Sequence, residues 1–447
     1  MSHGPEQREL IAAIATPAGT GGVGIIRISG RGAKQLGEKF TNKNLEPRIA
    51  SYSDFRCRGD LIDSGIALFF KGPNSFTGED IVELHGHGGP IVMNTLLLAV
   101  CSEGARVAEP GEFSKRAFLN EKIDLVQAEA ISDLINSASA KAAKAAIKTI
   151  SGEFSFEVDK IKSSINRLRI FVEANLDFPD EEIDELDLDV IRADLKNLNR
   201  DIEILEGKTN QGVMLASGLT VALLGAPNVG KSSIFNALAE KEEAIVTEVP
   251  GTTRDLLKVN LTIAGLSLRL IDTAGIRRSE DRVEKIGIEK TLSMSKAADL
   301  VIEVRDLTAD HGKGVFADYH DIKNEDKLVV FNKSDLVEDL QSLHLADGIL
   351  VSALTGAGME TLRQAILDKV GFKNDEVSFT ARIRHIESMR MASNVLKEAE
   401  NMLVNIDTLD VLADHLRQAQ EELAEILGSL SADELLGKIF TEFCIGK

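Results

Sequence analysis

The nine residues "GAPNVGKSS", Gly225 to Ser233, restrict their surroundings more than any other stretch of this chain. They satisfy G-x-x-x-x-G-K-S, and they lie between "LTVALL", which reads as a strand, and "SSIFNALA", which reads as a helix. A glycine-rich loop that opens a helix turns backbone N–H groups inward and makes an anion cradle. Lys231 adds positive charge for the β- and γ-phosphates, and the Ser232 hydroxyl suits Mg²⁺. Asn228, Val229, Gly230 and Ser233 complete the loop around the nucleotide.

Four further segments follow in a fixed order. "TEVPGTT" carries Thr247, Glu248, Val249, Pro250, Gly251, Thr252 and Thr253, with threonine hydroxyls able to complete a Mg²⁺ shell, Thr253 among them. "DTAG" supplies Asp272, Thr273, Ala274 and Gly275 after a predicted strand, placing a carboxylate beside the metal's water shell and a glycine N–H near the γ-phosphate. "NKSD" supplies Asn332, Lys333 and Asp335, and "SAL" supplies Ser352, Ala353 and Leu354, each after a predicted strand. Open α/β sheets bind ligands at the carboxyl ends of their strands, so these loops converge on one site. One carboxylate at Asp335 accepts the N1–H and 2-amino group of guanine together. Adenine would set a lone pair against it, and a site built for paired donors rejects such a ligand. Lys333 packs along the base and the Ala353 N–H donates to O6. The set implies a GTP site with Mg²⁺.

One position departs from the usual pattern. The residue after D-x-x-G, where many such enzymes carry a water-orienting Gln, is Ile276. Another group must hold the attacking water. Glu280, Asp281, Glu284 and Glu289 in "SEDRVEKIGIEK" are candidates, and a solvated helix face is the alternative account of each.

The 447 residues require more than one core. Residues 1–118 read as mixed α/β, 119–217 as helical, 218–372 as the P-loop domain and 373–447 as helical again. This order fits one helical domain carrying an inserted α/β domain, with two separate helical domains as the alternative. In "KIDLVQAEAISDLI", Ile123, Val126, Ala130, Ile131, Leu134 and Ile135 form the expected apolar stripe. Ser431 and Glu434 stand at capping-box spacing. "GTGGVGIIRISG" matches G-x-G-x-x-G, but a strand rather than a helix follows, which argues against a dinucleotide loop.

With 71 acidic and 51 basic residues the net charge is −20, so any nucleic-acid contact needs a local basic patch or a partner's surface. Three scattered cysteines, Cys57, Cys101 and Cys444, fit neither a disulfide framework nor a zinc site. No apolar run is long enough to cross a bilayer. These features point to the reducing cytoplasm and away from a membrane. Cys444 in the terminal "CIGK" is a poor prenylation signal, because Gly446 is not aliphatic. A structural cysteine or one activated by Lys447 is the alternative.

The chain as a whole resembles the bacterial MnmE (TrmE) family of tRNA-modification GTPases. The likeness rests on "ATPAGTGGVGIIRISG", "GPNSFTGEDIVELHGHGGP", "PGEFSKRAFLNEKIDLVQAEAI", "FPDEEID", the nucleotide motifs and terminal "FCIGK". It implies an N-terminal α/β domain of folate-binding type, a discontinuous helical domain and an inserted Ras-like P-loop G domain. It implies a homodimer and an FAD-dependent partner, joined in a heterotetramer that carboxymethylaminomethylates C5 of the wobble uridine, position 34, of tRNA. The implied ligands of 5-formyltetrahydrofolate or a related one-carbon folate are Arg27, Glu83, Lys122 and Lys447, with Cys444 available for modification chemistry. The resemblance also implies K⁺ held by Asn228, Thr247, Val249 and Thr252, in place of an arginine finger. It gives the water-orienting role to Glu284 and charge stabilisation to Lys231. Pro250 departs from the family, where a small residue is common. A ribosome-assembly or translation GTPase is the competing function; it would share the nucleotide motifs without the N-terminal domain and terminal cysteine. A folate-dependent methyltransferase with an incidental P-loop conflicts with the complete motif set.

Overall fold

Period-two alternation builds the first sheet from β1 (Ile11–Ile14), β2 (Gly21–Ser29), β3 (Ser51–Cys57), β4 (Asp60–Phe70), β5 (Ile81–Gly88) and β6 (Arg106–Val107). Their order across the sheet is β3-β4-β5-β2-β1-β6. The computed structural model of the chain describes residues 9–177, 188–239, 258–272, 298–308, 327–337, 348–373, 379–403, 408–429, 433–441, 443 and 446. Helices α1 (Ala33–Thr41) and α2 (Pro90–Ser102) cover one face, where Ile26, Ile28, Val82, Leu84, Phe40 and Leu96 share a core. The intervening residues of the same strands, Arg27 and Glu83, therefore point to the opposite face. That face carries a smaller cluster of Ile11, Ala13, Ala108 and Phe113, with Phe76 packed on it. A strand, β1, does precede the glycines of "GTGGVG", and β2 follows them directly. The helix a dinucleotide loop requires is missing at that point.

Helices take over with α3 (Glu112–Leu119), α4 (Leu125–Asn136), α5 (Ala140–Ile150), α6 (Glu153–Asp177) and α7 (Leu188–Ser217). A reciprocal cap starts α4: the Gln127 N–H donates to Asp124 Oδ1 at 2.7 Å, and the Asp124 N–H donates to Gln127 Oε1 at 3.0 Å. The expected stripe on this helix is only partly right. Leu125, Val126, Ala128, Glu129 and Ala130 are buried, whereas Ile135 is exposed. Burial is concentrated in the first two turns, where even Glu129 is enclosed, rather than running along one face.

The second sheet comprises β7 (Leu219–Leu224), β8 (Lys258–Ile263), β9 (Leu266–Asp272), β10 (Leu300–Asp306), β11 (Lys327–Asn332) and β12 (Ile349–Leu350), in the order β12-β11-β10-β7-β9-β8. All neighbours are parallel except β8 with β9. Val221 and Leu223 of β7 and Ile302 and Val304 of β10 pack with Ile234 of α8 (Lys231–Ala239) and Leu362 of α9 (Met359–Lys369). The chain ends in α10 (Ile383–Met402), α11 (Leu409–Ile426) and α12 (Asp433–Thr441). Helix α6 packs along α11, joining helices from before and after the P-loop region. Ser431 lies outside the described residues, as does the Glu434 side chain, so the capping box proposed there does too.

Two compact units result: Met1–Ser132 with Ile150–Leu195 and Asn394–Lys447, and Asp133–Thr149 with Lys196–Ser393. Among the described residues no helix is long and apolar enough to cross a membrane.

Candidate functional site

The P-loop leaves β7 at Leu224 and enters α8 at Lys231. Gly230 has φ 95, and a Cβ there would lie 2.1 Å from Asn332 Nδ2. Only glycine lets Asn332 approach so closely. Asn332, buried at the end of β11, donates to the Val229 carbonyl at 3.0 Å and accepts from the Ala353 N–H at 3.1 Å. One amide therefore ties the phosphate loop to the base loop. Ser352 Oγ donates to Asp335 Oδ1 at 2.6 Å and accepts from the Thr355 N–H at 3.1 Å, which fixes the carboxylate expected to read guanine. Leu354, in the same loop, is exposed.

Lys231 is buried, and its Nζ donates to the carbonyls of Gly225 and Ala226 at 2.8 and 2.9 Å. The ammonium is thereby held within the loop it is expected to serve. Ser232 and Ser233 stand in the first turn of α8, where unpaired N–H groups favour an anion. Lys333 takes left-handed backbone, φ 66, and its ammonium pairs with Asp306 at the end of β10. Burial pushes the Asp306 carboxyl up, but the Lys333 ion pair and the Thr308 hydrogen bonds prevail and hold it below the usual carboxylate range. Asp272 ends β9, in register with Leu223 of β7, so its backbone stands beside the strand that launches the P-loop. Thr247, Glu248, Val249, Pro250, Gly251, Thr252, Thr253, Thr273, Ala274, Gly275, Ile276 and Glu284 lie outside the described residues.

A second site occupies the side of the first sheet away from α1 and α2. Arg27 and Glu83 are direct cross-strand partners on β2 and β5. Arg27 Nε and Nη2 both reach Glu83 Oε1 at 2.9 Å, and His85 Nε2 lies 3.1 Å from Oε2. Burial raises the Glu83 carboxyl, while His85 and Arg27 lower it more, leaving it below its ordinary value. The guanidinium sits 5.9 and 5.8 Å from the ring centroids of Phe76 and Phe113. It also donates through Nη1 to the Gly446 carbonyl at 3.3 Å, across 419 positions of sequence. The tail is seated by close approach: a Cβ on Gly446 would fall 2.4 Å from the Ile14 carbonyl. Another on Gly111 would fall 2.4 Å from that of Phe440. Lys122 stands on a neighbouring cavity that shares Phe76 with Arg27. Cys444 and Lys447 lie outside the described residues.

Beneath Arg27 runs a network that motif reading missed. Arg116 is buried and binds Glu112 at 2.9 Å and Glu79 at 3.0 Å, and Arg106 binds Glu112 at 2.8 Å. Ser29 Oγ donates to Glu79 at 2.9 Å. The available signal was the charge within "PGEFSKRAF", at i,i+4 spacing for Glu112 and Arg116. Cys57 and Cys101 are free and half-buried, and burial pushes the Cys101 thiol up. Among the described residues no cluster of three or more metal-ligating side chains occurs.

Residues 10–122 match the family model described as GTP-binding protein TrmE N-terminus, and residues 125–444 match the MnmE helical domain. The tRNA modification GTPase MnmE of Coxiella burnetii (strain Dugway 5J108-111) is 45% identical over 447 residues, covering 98% of this chain and 99% of the relative. That of Nitrosococcus oceani is 45% identical over 466 residues and covers both chains fully. That of Pseudomonas paraeruginosa is 46% identical over 450 residues, covering 98% and 99%. Among solved structures, the G domain of the T. maritima FeoB iron transporter aligns with 34% of this chain and 98% of its own. Its identity is 29% and its TM-score 0.26. The matches supply the N-terminal and helical domains, and the nucleotide motifs supply the G domain. The chain belongs to the MnmE (TrmE) family of tRNA modification GTPases.

Proposed function

We propose that this tRNA modification GTPase requires K⁺ and Mg²⁺ for hydrolysis and holds a one-carbon folate on its N-terminal domain. It works as a cytoplasmic homodimer, joined with an FAD-dependent partner in a heterotetramer that adds the carboxymethylaminomethyl group to wobble uridine 34 of tRNA. The domains run 1–118 (folate binding and dimerisation), 119–217 and 373–447 (helical) and 218–372 (G domain). The packing of α6 along α11 supports a helical domain interrupted by the insertion.

The observation that carries the ion assignment is Asn228. The P-loop bends through left-handed backbone there, φ 64, where glycine would sit without strain, yet the sequence places an amide oxygen. Asparagine adopts this backbone more readily than other side chains, and its amide at that point of a phosphate loop supports a ligand role. Asn228 is the described member of a set completed by Thr247, Val249 and Thr252 in the sequence. When bound, K⁺ supplies positive charge beside the transferring phosphoryl group. Ser232, with Thr253, would hold Mg²⁺. Lys231 leaves the Gly225 and Ala226 carbonyls to meet the γ-phosphate, and Asp335 fixes guanine. Glu284 orients the water that Ile276 cannot.

The folate reading is supported by the Arg27–Glu83 pair and by the tail bonded to it. Glu83 can accept from a pterin edge, Phe76 and Phe113 offer aromatic walls, and Lys122 and Lys447 suit the carboxylates. Cys444, two residues before Gly446, belongs to the same tail and is proposed for modification chemistry. The decisive experiment compares GTP turnover in KCl and NaCl at equal ionic strength. Much faster turnover is expected in KCl, because Na⁺ is too small for the oxygen cage. Equal rates would remove the K⁺ assignment.

A further inference from the structure

We infer that the cavity beside the Arg27–Glu83 pair is a subsite for the anionic tail of the folate, and that Arg48 makes it prefer poly-γ-glutamylated over monoglutamylated ligand. The inference rests on the folate reading above. The cavity has a volume of about 410 Å³ and is lined by Arg48, Phe70, Asn74, Ser75, Phe76 and Lys122. Phe76 is the shared wall: Arg27 lies 5.9 Å from its ring, and the cavity opens beside the same residue.

Charge makes the cavity selective. The chain carries 71 acidic and 51 basic residues, yet the lining of this cavity has two cations and no carboxylate. Arg48 and Lys122 both lack a carboxylate partner among the described residues, and they face one cavity. Arg48 Nη2 donates to the Asn74 carbonyl at 2.9 Å, and its guanidinium lies 5.8 Å from the Phe70 ring centroid. That uses one of its five donors and leaves the planar fork available for a carboxylate.

The frame is built before any ligand arrives. Arg48 is held in left-handed backbone, φ 63, with its N–H on the Phe69 carbonyl at 2.8 Å. The wall from residue 72 to 80 is pinned by the Gly72 N–H on Asp80 Oδ1 at 3.0 Å and by Asn120 Nδ2 on the Thr77 carbonyl at 2.7 Å. The Lys122 stem crosses Gly78, φ 79, where a Cβ would lie 3.3 Å from Lys122 Cγ. A monoglutamate tail ends in two carboxylates. Each further γ-linked residue keeps an α-carboxylate and extends the chain, which is what a second cation beyond Lys122 can grip. One added charge-assisted contact corresponds to roughly tenfold in affinity.

The test measures binding of the monoglutamate and triglutamate forms of 5-formyltetrahydrofolate to the full-length protein by calorimetry. The wild-type protein should bind the triglutamate about tenfold more tightly at low ionic strength, with the margin shrinking as salt is added. In Arg48→Gln the ratio of the two dissociation constants should fall towards one, and in Arg48→Lys most of it should return. Equal binding of both forms by wild type overturns the tail subsite and leaves the folate reading standing. Binding of neither form overturns both. A wild-type margin that survives in Arg48→Gln overturns the role of Arg48.

Discussion

The nucleotide site and the N-terminal site are organised in opposite ways. The first is assembled from loops at the carboxyl ends of parallel strands, and the contacts that hold its phosphate loop pass through backbone: Asn332 to the Val229 carbonyl and Ala353 N–H, Lys231 to two carbonyls. The second is assembled on the face of an antiparallel sheet from ionised side chains, Arg27 against Glu83 and Arg116 against Glu112 and Glu79. A backbone cradle tolerates charge changes at its edge but not a Cβ at Gly230. An ionic face depends in addition on every partner being present and correctly ionised. The first site should therefore fail through position, the second through protonation and pairing.

The sharpest way to break that contrast is at Asp335, to which the proposed function gives base specificity. Asp335→Asn sets an amide donor against guanine N1–H and disturbs the bond from Ser352 at 2.6 Å. The expected loss in kcat/KM for GTP is on the order of 10³-fold, with preference moving to xanthine nucleotides. Unchanged kcat/KM for GTP would show that the base is read elsewhere.

A somewhat smaller effect is expected at Glu284. Its replacement by Ala should leave GTP affinity close to wild type and lower kcat on the order of 10²-fold or more, because the proposed role of Glu284 is confined to positioning water. Glu280→Ala and Glu289→Ala, which remove carboxylates with no proposed role, should remain active. If Glu280→Ala proves as inactive as Glu284→Ala, the catalytic role does not belong to Glu284.

The two sites also differed in how far the sequence revealed them. Backbone loops need glycines and small polar residues at set spacings, so "GAPNVGKSS", "NKSD" and "SAL" announced themselves, and Asn332 joins the first to the third. In β2, Arg27 alternates with Ile26 and Ile28, a period-two pattern present in "GIIRIS". Nothing local to Arg27 names Glu83 or Gly446 as its partners, because register and tail docking are long-range outcomes of packing. Only the family resemblance linked Arg27, Glu83, Lys122 and Lys447. The Arg116 network and Arg48 escaped both routes. Their roles depend on where Glu79 and Asn74 are carried by the 72–80 turn, and neither lies within helical or strand spacing of its partner. The stripe on α4 misled for a related reason: periodicity says which residues share a face, and not how many faces the fold will cover.

The smallest predicted effect tests the ionic half of the contrast directly. Glu83 has a folded-state carboxyl below its ordinary value of 4.5, because His85 and Arg27 outweigh burial. A depressed carboxyl contributes stability that is complete above its unfolded value and is lost as pH falls through the lower folded value. Replacing it in Glu83→Gln removes that contribution and leaves Arg27 with the Gly446 carbonyl and two aromatic rings. The cost at neutral pH should be on the order of 1–3 kcal/mol, confined to the β2–β5 region. Hydrogen exchange of the full-length protein resolves such local openings, so the amides of Gly21–Ser29 and Ile81–Gly88 are the readout. The difference between wild type and Glu83→Gln should be fully present above about pH 5 and should narrow as pH falls below about 4. Comparing the two proteins at each pH cancels the titration of Glu112 and Asp63, which are also held low by their partners and are common to both. A difference that stays constant from pH 7 to below pH 4 would mean that Glu83 supports the sheet by shape rather than charge. The two sites would then be built on the same principle after all.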